Sequence, residues 1–129
     1  MQSFIGNIED ATLTNDQYRK VLYTAHYSQL VVMRLRPGEE IGEEIHGLDQ
    51  FIRVEQGSGQ AILDGVTHDI GDNWALVIPA GTKHNVINTS PDTDLKIYTL
   101  YAPPAHLLDT VQATKADEWE DHFDGHVNA

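Results

Sequence analysis

Two stretches of this chain carry side chains able to hold a metal ion. The first is Gly38-Glu39-Glu40-Ile41-Gly42-Glu43-Glu44-Ile45-His46-Gly47-Leu48-Asp49-Gln50, followed by Gly57. The second is Pro79-Ala80-Gly81-Thr82-Lys83-His84, followed by Asn88. Residues two apart in a strand point to the same side, so Glu44 and His46 can face one interior together. Gln50 lies beyond a short turn and can re-enter with its side chain inward. His84 opens a separate strand after a Pro-x-Gly turn. If that strand lies beside the others, four nitrogen and oxygen donors converge. Imidazole suits iron, nickel, copper and zinc, and a carboxylate or amide oxygen adds manganese. Two histidines and one carboxylate resemble the facial arrangement of non-haem iron oxygenases, with positions left for water or substrate. Neither stretch carries this alone, because acidic and histidine residues near a turn are usually just solvated. The signal is their joint occurrence, in that order.

The elements that must position these donors read as strands. Segments 18–25 (YRKVLYTA) and 28–35 (SQLVVMRL) are rich in β-branched and aromatic residues, and Pro37-Gly38 ends the second. A shorter candidate covers 41–46. Segment 50–55 alternates and stops at Gly57-Ser58-Gly59, a hairpin signal. Segments 60–63, 66–70, 74–78, 84–88 and 95–101 follow, separated by Asp64-Gly65, Gly71-Asp72 and Pro79-Ala80-Gly81. Turn signals at such short intervals predict an all-β sandwich or barrel, and the absence of a long helical period argues against a parallel βαβ design. Ala102-Pro103-Pro104 marks the barrel's end. Beyond it, 113–122 (ATKADEWEDH) has helix-forming composition, with Thr114 as cap, Asp117 and Glu118 in the first turn, and Trp119 and Phe123 on one face. Gly57 and Gly59 are read as supplying positive φ in a tight turn. Gly57-x-Gly59 is no phosphate loop, since strand and not helix follows it.

The chain has 129 residues, which fits one domain over 1–129, with a barrel at about 18–102 and a helical tail at about 113–123. Hydrophobic residues make up 40% of it, enough for a core. Twenty acidic residues against eight basic ones set the net charge at −12. Such a surface repels phosphate backbones and anionic headgroups, so nucleic acid and membrane are excluded as expected partners. An anionic substrate is not excluded, because a bound cation reverses the local field. With no cysteine, disulfides, zinc–thiolate sites and thiol nucleophiles are excluded. No basic stretch followed by an apolar run opens the chain, and the expected location is cytoplasmic. Asn88-Thr89-Ser90 matches a glycosylation sequon but reads as a polar turn.

Smaller polar features are assigned by phase. Arg53 lies opposite in phase to Gln50 and should point away from it. Tyr98 and Tyr101 alternate, so only one can line an interior. Tyr23, Met33 and Trp74 read as packing residues. His26, His68 and His106 have no partner pattern. A second metal site from Glu118, His122 and His126 is not expected, because Gly125 interrupts that helix.

Together the two stretches resemble the cupin superfamily over roughly 28–102. Gly38, Glu44, His46, Gln50 and Gly57 fall at the spacings of that family's first motif, and Pro79, Gly81, His84 and Asn88 at those of its second. Gly71 stands too far before Pro79 to serve as the second motif's opening glycine. The family's first metal histidine is Glu44 in this chain, and its glutamate is Gln50. One carboxylate remains in either arrangement, so the ligand charge is unchanged and the site looks exchanged rather than erased. The resemblance implies a double-stranded β-helix (jelly-roll barrel) with a short C-terminal helix. It also implies a divalent metal ion (Zn, Ni, Mn or Fe) on Glu44, His46, Gln50 and His84, and a small-molecule ligand. Implied reactions include sugar isomerisation and dioxygen-dependent cleavage; the alternative is a non-catalytic module that binds or senses a small ligand. A homodimer is expected, because exposed apolar strands invite pairing, with Phe51 and Leu100 as candidate face residues.

Overall fold

The computed structural model describes residues 2–118 and contains two antiparallel sheets. A short helix, α1 (Ile8–Leu13), precedes the strands. The strands are β1 (Arg19–Thr24), β2 (Gln29–Leu35), β3 (Asp49–Gln56), β4 (Gly59–Leu63), β5 (Val66–Ile70), β6 (Ala75–Ile78), β7 (His84–Ile87), β8 (Leu95–Ala102) and β9 (Val111–Gln112). The large sheet runs β6-β3-β8-β2-β1-β9 and the small one β5-β4-β7. All ladders are antiparallel, those joined by short turns and those between strands distant in the chain alike. Asp64 (φ 47°) and Gly65 (φ 82°) make the β4–β5 hairpin with two consecutive positive φ values, the geometry Asp-Gly favours.

Alternation decides which residues enter the core. In β3, Gln50, Ile52 and Val54 are buried while their neighbours are not. In β8 the buried set is Leu95, Ile97, Thr99 and Tyr101. Register aligns these rows across the sheet: Gln50 beside Tyr101 beside Gln29, Ile52 beside Thr99 beside Val31, and Val54 beside Ile97 beside Met33 beside Arg19. Ala61, Ile70 and Val86 of the small sheet join the same apolar cluster, so one core fills the space between the sheets. Each fully buried Ile, Val, Leu or Met contributes about 1.5–3 kcal/mol. Polar side chains occupy the Gln50–Tyr101–Gln29 row, where the interior changes from packing to chemistry.

Several expectations are modified. Segment 41–46 forms no strand; it meets β7 at the isolated bridge Glu44–His84, next to the bridge Glu40–Ile87, and through bonds from Ile41 N to Val86 O and from Gly42 N to Asn85 Oδ1. Helix α1 was not anticipated, although Asn7, whose side chain accepts from Asp10 N at 3.0 Å, and the acidic Glu9 and Asp10 are a usable start signal. Trp74 is 56% exposed rather than a packing residue. Gly57 does have positive φ (112°), but Gly59 does not. Gly59 is required because a Cβ there would sit 2.3 Å from the Ile87 carbonyl oxygen. Over 113–118 the chain makes one 3-10 turn, Lys115–Asp117, closed by a Thr114–Asp117 capping box. The rest of the expected helix, with Trp119 and Phe123, lies outside the described residues, as do His122 and His126.

Asn88 ties the second motif to the core. It is fully buried, and its amide donates to the carbonyls of Leu35 at 3.0 Å and Thr93 at 2.9 Å while its oxygen accepts from Ser90 N. With both amide hydrogens and the oxygen engaged, it serves the backbone, as its turn reading implied.

Candidate metal centre

Glu44 and His84 face each other directly. Glu44 N donates to His84 O at 2.8 Å and His84 N to Glu44 O at 2.9 Å. Residues paired this way send their side chains to the same side of the sheet. His46 follows two residues on, so it shares that side, while Glu43 and Ile45 point out. Ile45 is 57% exposed and Glu43 meets Lys83 at the surface. The turn before His84 is stapled to the strand region that carries the other donors. Gly81 N donates to His46 O at 2.9 Å, and Ala80 N to Asp49 Oδ1 at 2.9 Å. Gly42 N is held by Asn85 Oδ1 at 2.9 Å, which anchors the loop before Glu44. Positive φ at Gly42 (108°) and Gly81 (87°) lets both turns close.

These constraints gather three donors. One ligand atom each from Glu44, His46 and His84 lies within 4.8 Å of the others. Donors on opposite sides of an ion with bonds of about 2.0–2.2 Å stand at most about 4.4 Å apart, so a small side-chain rotation closes the set. His46 and His84 are buried, with ring centres 5.2 Å apart. His46 Nε2 stands 3.3 Å from Glu44 Oε1. His84 is oriented by its other nitrogen: Nδ1 lies 2.9 Å from the Thr82 carbonyl oxygen, which can only accept. The proton of the neutral ring is thereby on Nδ1 and the lone pair on Nε2. That Nε2 is buried and has no hydrogen-bond partner among the described residues. Gln50 is also buried; its Nε2 donates to Thr99 Oγ1 at 3.0 Å, and its Oε1 is another buried acceptor without a partner among the described residues. Buried polar atoms normally find partners, so two orphaned lone pairs beside a carboxylate and a second imidazole are the chemistry of a cation site.

The match with the cupin-domain family model covers residues 31–101, from β2 through β8, and includes all four donors. The chain belongs to the cupin family. YrkC of Bacillus subtilis is 47% identical over 122 residues, covering 88% of this chain and 64% of YrkC. L612 of Acanthamoeba polyphaga mimivirus is 41% identical over 109 residues, covering 81% of this chain and 68% of L612. The chain thus spans about two thirds of the length of these curated relatives. Among solved structures, BH2720 of Bacillus halodurans superimposes with a TM-score of 0.87 at 42% identity, over 90% of this chain and 92% of that one.

Within this cupin, the site has neighbours of two kinds, those that strand phase had narrowed down and one, His106, that it had not. Tyr101, rather than Tyr98, turns inward; its ring is 6.5 Å from that of His46. Tyr98 packs on Phe51 on the outer face, and Arg53 pairs with Asn73 and Glu55, away from Gln50 as its phase implied. His106, which has no periodic signal, is buried behind Tyr101, its Nε2 3.4 Å from the Tyr101 hydroxyl. Gln29 holds it in place: the side-chain oxygen accepts from Ala105 N and His106 N, and the amide donates to His106 O at 2.9 Å. A groove of about 730 Å³ between Thr24–His26 and the Pro104–Leu108 loop has His106 in its lining. It is apolar and shares no residue with the donor cluster.

Proposed function

We propose that this cupin is a metal-dependent enzyme for an oxygen-rich small molecule, with Glu44, His46, Gln50 and His84 as the donor set. The carrying observation is the His84 ring, whose Nδ1 is committed to Thr82 and whose buried Nε2 has no hydrogen-bond partner among the described residues. A bound divalent ion (Zn, Ni, Mn or Fe) supplies Lewis acidity and a template for ligand oxygens. The protein's own part is to aim two imidazoles and one carboxylate at one point and to keep Gln50 Oε1 available. The amide oxygen makes a weaker donor, leaving room for exchange. Tyr101 and His106 favour catalysis over passive binding: a phenol backed by an imidazole, beside His46, can give and take a proton within the interior. Of the two reaction classes, this pair suits isomerisation, which moves a proton between neighbouring carbons.

The test is elemental analysis of the purified chain, with about one divalent ion per chain expected; a wild-type protein that takes up no metal would sink the reading. Gln50→Leu should weaken metal affinity at least about tenfold, since losing even an outer-shell partner costs roughly 10–100-fold, while leaving the Glu44–His46–His84 cluster intact. We also propose a homodimer through the outer face of the large sheet. Val77, Phe51, Leu100 and Leu30 form one cross-strand apolar row there, with Val77 70% exposed. Light scattering should give twice the chain mass for wild type and the chain mass for Leu100→Asp; wild type at the single-chain mass refutes it.

A further inference from the structure

The interior holds a second charged cluster that the metal centre does not use. Arg19 points inward from β1 beside Met33 and Gln112 and is 1% exposed. Its guanidinium keeps its charge: burial opposes it, but Tyr101, Tyr18 and Glu118 outweigh that and raise it further. Its Nη1 donates to Gln112 Oε1 at 2.8 Å and to Glu118 Oε2 at 2.9 Å. The same Glu118 oxygen accepts from the Tyr18 hydroxyl at 3.2 Å. Burial holds that hydroxyl well above its ordinary range, against the pull of Arg19, so it stays a donor. Glu118 is the residue that caps the 3-10 turn, a hundred positions along the chain from Tyr18, and its side chain is 23% exposed. Lys115, at the start of the same turn, donates to the Ile41 carbonyl at 3.0 Å, on the loop that leads to Glu44. The cluster therefore borders the metal centre.

The donors in it outnumber the acceptors. One Glu118 oxygen serves two of them, and Lys115 takes the other oxygen at 3.3 Å. Arg19 Nε and Gln112 Nε2 are buried with no hydrogen-bond partner among the described residues. A guanidinium fork binds a carboxylate through two parallel bonds, and Glu118 does not fill that fork. A dianionic phosphate would add a second charge to a chain of net charge −12, with one guanidinium to meet it. We propose that Arg19, Tyr18 and Gln112 are the anchoring site for the carboxylate of a small-molecule ligand, and that Glu118 occupies it until the ligand displaces it. This deepens the function proposed above and rests on it only for the ligand's other end.

The experiment uses malonate as probe on the metal-free full chain, with chloride at matched ionic strength as control. Calorimetry should show weak binding to wild type and at least tenfold tighter binding to Glu118→Gln, whose competing carboxylate is gone. In wild type, malonate but not chloride should speed trypsin cleavage after Lys115, because displacing Glu118 frees the 3-10 turn that carries both residues. Equal affinity for both proteins, or unchanged cleavage in wild type, overturns the proposal. The cleavage measurement decides the matter even if Glu118→Gln fails to fold. His84→Ala should bind malonate as wild type does; loss there would put the probe at the metal centre and overturn the anchor. Metal content, measured separately, reports on the donor set alone.

Discussion

The Glu44→Ala/His84→Ala protein should fold and hold essentially no divalent metal. The bridge between these residues is made by backbone groups, which alanine keeps, so the local strand pairing survives. Losing the buried His84 ring leaves a small polar hollow, costing about 1–3 kcal/mol, within the range most single substitutions span. The effect on metal is far larger. Losing a mere outer-shell partner costs roughly 10–100-fold in affinity, and these two side chains would bind directly, so the combined loss should be at least about 10³-fold. Elemental analysis after dialysis, with circular dichroism as the check on folding, reads both quantities. Metal content equal to wild type would remove the proposed donor set and leave a barrel without an assigned site.

The second large effect concerns a residue with no side chain. Gly59→Ala should lower stability by about 3 kcal/mol or more, at the upper end of overpacking in a core. An added Cβ would lie 2.3 Å from the Ile87 oxygen and 3.4 Å from Leu95 Cδ2. Ile87 sits in β7, paired to β4 at Gln60, so relief requires parting two strands of the small sheet. Gly65→Ala is the informative contrast. Its φ is 82°, but nothing stands within 4 Å of the added Cβ, so only the left-handed backbone cost of about 1–2 kcal/mol applies. Denaturant midpoints for the two variants separate close approach from backbone conformation. Equal losses would show that steric contact at Gly59 matters no more than φ.

Much of this protein is readable from residue order. Alternation placed Gln50 inward and Arg53 outward, and it separated Tyr101 from Tyr98, because a period of two leaves a strand residue only two directions. The same rule put Glu44 and His46 on one side, and the two do converge, although their segment forms no strand and is held by the bridge to His84. Asp64-Gly65 specified its hairpin because few other dipeptides accept two positive φ values in succession. Gly59 looked like another turn residue, since sequence shows flexibility but not the neighbour a Cβ would strike. His106 was invisible for a related reason: it lies in a loop without period, held by Gln29 from a strand far away in the chain.

What the order of residues determined by itself was the all-β class, the types of the candidate donors and the inward face of Gln50 relative to Arg53. These are local quantities, governed by backbone sterics and by a repeat of two. Only the folded chain decided that Glu44 meets His84 across a bridge, that Thr82 turns the His84 lone pair inward, and that Glu118 reaches back to a buried Arg19. Those contacts join residues whose separation along the chain carries no signal, because the energy that pairs them exists only once the sheets have closed and water has left.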